Sequence, residues 1–435
     1  MSVLRPYLAV WRLPGAPLLL GVGPLARLGI GMNPLAMLLL VQQATGRYSY
    51  AGVAGGVYAM ASAAASPVGG RLADRFGPAP VLLVTAVAHP VGLLVLLLAT
   101  GAGSGGLAMI YAAAAFAGAT YPPLTATVRS AWNALTDPET VHHHLRGTAM
   151  AAETTVFQTV FILGPLLVAG FLALAGPAAA IIGSAVVTLV GTGLMAYGRA
   201  MRAHRRPAAH AHTRGLGPLR VPGFAALILC TACLGAAFGA TGVAVPAYVT
   251  TGAGAGDRAQ SLGGVLLAVW GIGSAVGGFW YGTRRPRSEL ARQLAWWQFL
   301  LAAGFLLLAP MPDPTALGVA LLVAGVAIAP SLTVANTLVG RITPRGMLNE
   351  AYTWVVTLSV AGGAVGSAVA GAIVDRPGGV PWAFVFAGAV VGVAALVAGW
   401  PSGPVARAEA DATRQVGAPR PGTRVRGGGL LDRRQ

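Results

Sequence analysis

Gly70-Arg71-Leu72-Ala73-Asp74-Arg75-Phe76-Gly77 is a short charged stretch between two long apolar ones, Ala51–Gly70 and Val81–Thr100. Each flanking run has about the 20 apolar residues that a helix needs to cross a bilayer core. A charged octapeptide joining two such runs reads as a tight loop at a membrane face. Gly70 permits close helix approach and Gly77 a tight turn. Asp74 and Arg75 fall where that loop must hold a fixed shape.

The same alternation extends in both directions. Qualifying runs before the linker are Leu18–Val41, Ala51–Gly70, Val81–Thr100, Leu107–Val128, Gly147–Leu174 and Ala178–Tyr197. After it come Phe224–Val249, Leu262–Gly282, Ala291–Ala309, Ala316–Val339, Tyr352–Val374 and Trp382–Trp400. The chain thus predicts an all-α membrane protein of twelve transmembrane helices in two six-helix bundles. The expected units are 1–197, a cytoplasmic Arg-rich linker 198–222, 223–400, and a disordered cytoplasmic tail 401–435. Composition agrees: 55% of the 435 residues are hydrophobic and 9% charged, against roughly 25% charged in soluble domains. The basic Met1–Arg12 segment has no small-residue cleavage site after a short apolar stretch, so it reads as the approach to a first span.

All 29 basic residues are Arg. Their placement sets the orientation, since cytoplasmic loops carry the positive excess. One side collects Arg5, Arg12, Arg71, Arg75, Arg129, Arg146, the linker, Arg284, Arg285, Arg287, Arg341, Arg345 and the tail; the other holds Arg47, Arg258 and Arg376. Both termini are therefore expected in the cytoplasm of a plasma membrane protein. In this setting the net charge of +17 reads as an anchor to the membrane face, and no nucleic acid partner is expected. The halves also echo each other. Arg146-Gly147 and Arg345-Gly346 open corresponding spans, and Gly164 and Gly363 each follow 18 residues later. Duplicated halves around a binding site are a recurring transporter plan.

With this layout, the stretch 70–77 resembles the loop signature of the major facilitator superfamily, and the resemblance extends over nearly the whole chain. The basic pair that often follows the second Gly is Pro78-Ala79 here. The resemblance implies a gating role for Gly70, Asp74, Arg75 and Gly77, with Asp74 facing the start of the eleventh span near Gly346–Asn349. A helix N-terminus carries about half a positive charge and attracts a carboxylate. The second half has a worn copy, Gly278 to Arg285, with Gly282 where the Asp would fall. Gly164-Pro165 with Gly170 resembles part of the fifth-span signature of drug–proton antiporters, with Val160 in place of the upstream Gly. The fourth-span Arg of those antiporters has no counterpart in Leu107–Thr127.

Ionisable groups inside spans mark function by default. Arg27 lies about 14 Å into the first span and Glu153 about 9 Å into the fifth, at 1.5 Å per residue. They can form a substrate or proton site, or a structural ion pair. Asn33-Pro34 and Asn336 join the candidate substrate or proton site, because the resemblance places the first and tenth spans on the central cavity. Trp270, Trp354, Tyr352 and Phe157 are nearby aromatics. His89 beside Pro90 can titrate near neutral pH, and Glu350 complements a helix start. His142–His144 match no metal site, and Cys230 and Cys233 read as small packing residues. No metal, cofactor or enzymatic activity is expected. The chain has no Lys to form a nucleotide-binding loop, which argues against ATP-driven transport.

The functional expectation is a secondary transporter working by alternating access. Its few in-span amides point to an apolar or amphipathic cargo, since sugar carriers must replace a hydration shell. Export is favoured, with proton antiport as the coupling; import of a metabolite is the alternative, and a membrane-embedded sensor or enzyme a distant one. The expected partners are a small-molecule substrate, the lipid bilayer and protons, with the chain as a monomer.

Overall fold

The computed structural model describes residues 4–136, 142–198, 217–252, 257–283, 289–344 and 347–417; among these every regular element is helical. A short helix, α1 (Leu4–Trp11), and a π turn at Leu18–Val22 lead into α2 (Gly23–Thr45). Then follow α3 (Tyr48–Phe76), α4 (Pro78–Thr100), α5 (Leu107–Ala119) and α6 (Leu124–Leu135). A continuous 52-residue segment, Arg146–Tyr197, breaks at Gly176, whose φ of 80° ends one helix and starts another. Its arms are α7 (146–175) and α8 (177–197). Beyond the linker come α9 (Phe224–Gly252), α10 (Asp257–Gly282), α11 (Leu290–Leu308), α12 (Pro314–Gly325), α13 (Ile328–Ile342), α14 (Leu348–Val374), α15 (Gly379–Gly399) and α16 (Pro404–Gly417).

Among the described residues, ten segments are long and apolar enough to cross a membrane. Separating α7 from α8 and adding α3, which Ser, Gly and charged residues make less apolar, gives twelve. The fourth span is α5 with α6 and the tenth is α12 with α13. The fourth bends at Pro122-Pro123, where two missing N–H groups cannot continue a helix. Turns between spans are short because glycine supplies them. Gly77, at φ 87°, ends α3, and Pro78 opens α4 at a position where its missing N–H costs nothing.

The repeat noted in the sequence is structural. In the first half α7 crosses α2 at Gly164 against Gly31; a methyl group on Gly164 would lie 2.5 Å from the Gly31 carbonyl carbon. In the second half α14 crosses α9 at Gly363, against Gly235 and Gly239. Glycine at each crossing brings the backbones to a separation that no side chain allows. The signature-opening Arg345-Gly346 lie outside the described residues, as do linker residues 199–216.

The tail departs from the expectation of disorder. Residues 404–417 form α16, which packs on α9, α11, α13 and α15. Val405 and Ala408 are buried against the second half. Glu409 accepts hydrogen bonds from the Leu290 and Ala291 N–H groups, both at 2.8 Å, and pairs with Arg341 at 3.0 Å. Composition hid this because Gly, Pro and Arg dominate the stretch as a whole. The 404–417 window carries an apolar stripe and one well-placed acid. Residues 418–435 lie outside the described set.

Candidate functional site

Arg27 and Glu153 meet. Arg27 is fully buried on α2, and its Nη1 donates to Glu153 Oε1 of α7 at 2.6 Å. Its Nε donates to the Gly23 carbonyl at 3.0 Å, and its guanidinium carbon lies 5.1 Å from the Phe157 ring centre. The second carboxylate oxygen accepts from Trp132 Nε1 of α6 at 3.1 Å. Three spans thereby share one charged centre. Both carboxylate oxygens are engaged, while Arg27 Nη2 has no partner among the described residues. A buried pair needs such extra hydrogen bonds to offset desolvation. Trp132 lies beyond Val128, the last residue of the apolar run, whereas α6 continues to Leu135.

Asn33 sits elsewhere, deeper in the first half. Its Nδ2 donates to Tyr58 OH of α3 at 2.8 Å and faces His89 Nε2 of α4 at 3.3 Å. Its Oδ1 accepts from Ser184 Oγ of α8 at 2.6 Å. His89 Nδ1 lies 2.8 Å from the Ala117 carbonyl oxygen of α5. Four helices thus close round one amide. Asn336 does not join either group. It is exposed on α13, where its carbonyl accepts from Tyr352 OH at 3.1 Å. Trp270 is packed edge-on to Phe238 and Phe305.

Gly164 and Pro165 hold two interfaces at once. Gly164 admits α2, and the Pro165 carbonyl lies beside Gly264 of α10 in the other half. The halves also meet where α14 passes over α3, at Gly52 with Ser367, Gly56 with Ala364 and Gly371 with Tyr48. All three lie in the first part of α3, at the end of the molecule opposite the termini. There Asp375, just past α14, accepts from the Tyr48 N–H at 2.8 Å, the Ser49 N–H at 3.0 Å and Ser49 Oγ at 2.5 Å. The carboxylate caps the free N–H groups of α3 from the opposite half. Tyr48 OH adds a 2.7 Å contact to Thr250 Oγ1 of α9.

At the other end of α3 nothing comparable is formed among the described residues. Asp74 is exposed and makes no hydrogen bond or ion pair with described residues, and Arg75 lies over Phe76 at 5.1 Å. Glu350 is in the first turn of α14, where it stands near Gly217. Among the described residues Asp74 makes no contact with the start of α14; Arg345 and Gly346, where that meeting is expected, lie outside them. The α3–α14 pair closes at the end that holds Asp375.

A sequence profile described as the Major Facilitator Superfamily matches residues 19–292, more than half of the chain. The chain belongs to the major facilitator superfamily. Solved structures agree on the fold. A nucleoside transporter, NupG, superposes with a TM-score of 0.64 at 14% identity, covering 88% of this chain and 98% of its own. A D-xylose–proton symporter gives 0.65 at 14%, covering 90% and 98%. A bacterial homologue of the human lysosomal transporter Spinster, inward-facing and occupied, gives 0.64 at 12%, covering 91% and 96%. No curated protein is similar enough to count as a relative. For a member of this superfamily, the layout is that of a multi-pass membrane transporter.

Proposed function

We propose that this transporter works by alternating access, with units 1–197 and 223–400 rocking about the 198–222 linker. The observation that carries the reading is the unequal state of its two ends. Asp375 closes α3 against α14 at one end, while Asp74 and Arg75 stand exposed at the other. A carrier that opens one side at a time needs such an asymmetry. The Arg distribution makes the open end cytoplasmic and the membrane the plasma membrane. A cysteine at Ala410, in a Cys230→Ala and Cys233→Ala background, then stays unlabelled by an impermeant reagent outside intact cells. Rapid labelling there overturns the orientation.

The proposed cargo is a small apolar or amphipathic molecule, exported in exchange for protons by a monomer. The scarcity of in-span amides supports that cargo, and the Arg27–Glu153 centre supplies a carboxylate that could exchange a proton. The test is a toxicity panel in a pump-deficient bacterium expressing the chain, with and without a proton uncoupler. Protection that the uncoupler abolishes is the expected result. Import is the second reading, since two of the similar structures are named as a nucleoside transporter and a xylose–proton symporter. Flux into everted vesicles supports export; flux into right-side-out vesicles supports import.

A further inference from the structure

The donor and acceptor count around His89 leaves one protonation state. The Ala117 carbonyl can only accept, so the imidazole Nδ1 at 2.8 Å carries a proton. The Asn33 NH2 group can only donate, so the Nε2 at 3.3 Å is bare. In this arrangement Ser184 Oγ donates to Asn33 Oδ1. A second proton on Nε2 would point at another donor. The conflict has one local remedy. If the Asn33 amide turns over, its oxygen accepts from His89 Nε2–H and from Tyr58 OH, and its NH2 donates to Ser184 Oγ. Ser184 then bonds to its own helix, four residues back, as Thr127, Thr241 and Thr333 already do. The Asn33 amide, the His89 Nε2 and the Ser184 hydroxyl each keep a partner in both arrangements, on one heavy-atom frame.

We infer that His89 is a proton-binding site and that the Asn33 amide reports its occupancy to α2, α3 and α8. It deepens the proton-coupled reading above and is separate from the Arg27–Glu153 centre. The setting is built for this. His89 and Asn33 are both fully buried, and each precedes a proline inside its helix. Gly92 lets α5 approach, since a methyl there would lie 2.8 Å from Ala117 Cα. The groups facing the ring are few. Tyr58 comes from α3, and Tyr121, after α5, stands edge-on at 5.0 Å. From α2 come Asn33 and, nearly two turns earlier, Arg27 with its partner Glu153. From α8 comes the Ser184 hydroxyl. Among the described residues no carboxylate touches the imidazole, so the amide decides whether a second proton is accepted.

The test uses the full chain in lipid nanodiscs, with His142, His143, His144, His204, His210 and His212 replaced by Gln. His89 is then the single histidine to be followed by 15N NMR from about pH 8 to about pH 4. The expected spectrum is a neutral Nδ1–H tautomer at high pH that becomes doubly protonated within that range. Asn33→Asp replaces the opposing donor with an accepting carboxylate, and should raise the midpoint by at least about one unit. An imidazole that stays singly protonated throughout overturns the inference. So does a folded Asn33→Asp variant with an unchanged midpoint. Neither measurement requires a cargo, so failure of the toxicity panel would refute coupled export and leave this result standing.

Discussion

The two ends of the molecule are held together by different means. At the end that holds Asp375, the outer end on the proposed orientation, the halves hold each other: Asp375, just past α14, caps α3, and glycines bring the two helices into contact. At the inner end each half holds itself. Arg27, Glu153 and Trp132 tie three spans of the first half. Glu409 ties α16, α11 and α13 of the second. On the alternating-access reading proposed above, the difference follows from which end separates. Where the halves separate, neither can supply the other's missing hydrogen bonds, so each carries its own polar fastening. Where they meet, the Asp375 carboxylate and the Tyr48–Thr250 contact span the interface, and both can be released without unfolding either bundle.

The largest effect should come from breaking an inner fastening. Arg27→Ala or Glu153→Ala leaves one buried charge without its partner, at a cost of about 3–5 kcal/mol. Each should abolish transport and lower the melting temperature of the purified protein. The double variant separates structure from chemistry. Recovery of melting and transport together would make the pair purely structural. Recovery of melting alone would place substrate or proton chemistry there. Single variants that melt and transport normally would remove the pair from the inner fastening altogether.

Glu409→Ala tests the same idea in the other half. It strips the first N–H groups of α11 of their acceptor and Arg341 of its carboxylate partner. The cost of unsatisfied buried donors is roughly 1–3 kcal/mol. The expected result is faster hydrogen exchange in α11 and α16, with the first half unchanged. Uniform exchange across both halves would show that the clasp is not local.

These two fastenings differ in how far the sequence discloses them. Arg27 and Glu153 stand out because a charge inside an apolar run has few explanations, and their depths could be compared by counting residues. Trp132 could not be found that way, since an indole near a span boundary reads as an interface residue. Glu409 was hidden in a stretch whose average composition suggests disorder, and only its spacing from Val405 and Ala408 carries the helix. Asn33 was legible as a kink with a free amide. Its partners Tyr58, His89 and Ser184 lie on three other helices, and no local pattern pairs them. Asp74 stands out in the sequence because the stretch 70–77 resembles a known loop signature; Asp375 does not, because its partners Tyr48 and Ser49 lie 327 and 326 residues away.

The smallest effects bear most directly on the two ends. Asp375→Ala removes a cap from α3 only in the conformer closed at the outer end, at about 1–2 kcal/mol. Asp74→Asn should act on the opposite conformer. Its carboxylate is free here, so the amide costs this state nothing. If Asp74 caps the start of α14 when the inner end closes, losing the charge weakens that state by roughly 0.3–1 kcal/mol. The two substitutions therefore push one equilibrium in opposite directions. Spin labels at Gln43 and Arg376, both exposed at the outer end, should report longer separations in Asp375→Ala. In Asp74→Asn any long-distance population should shrink, by roughly two- to fivefold for the range above. The double variant should fall between them, nearer Asp375→Ala because three hydrogen bonds outweigh one dipole contact. Transport should slow in both single variants, since a carrier must visit each state in turn. Equal shifts in the same direction would mean that the two carboxylates do not serve opposite ends of one switch.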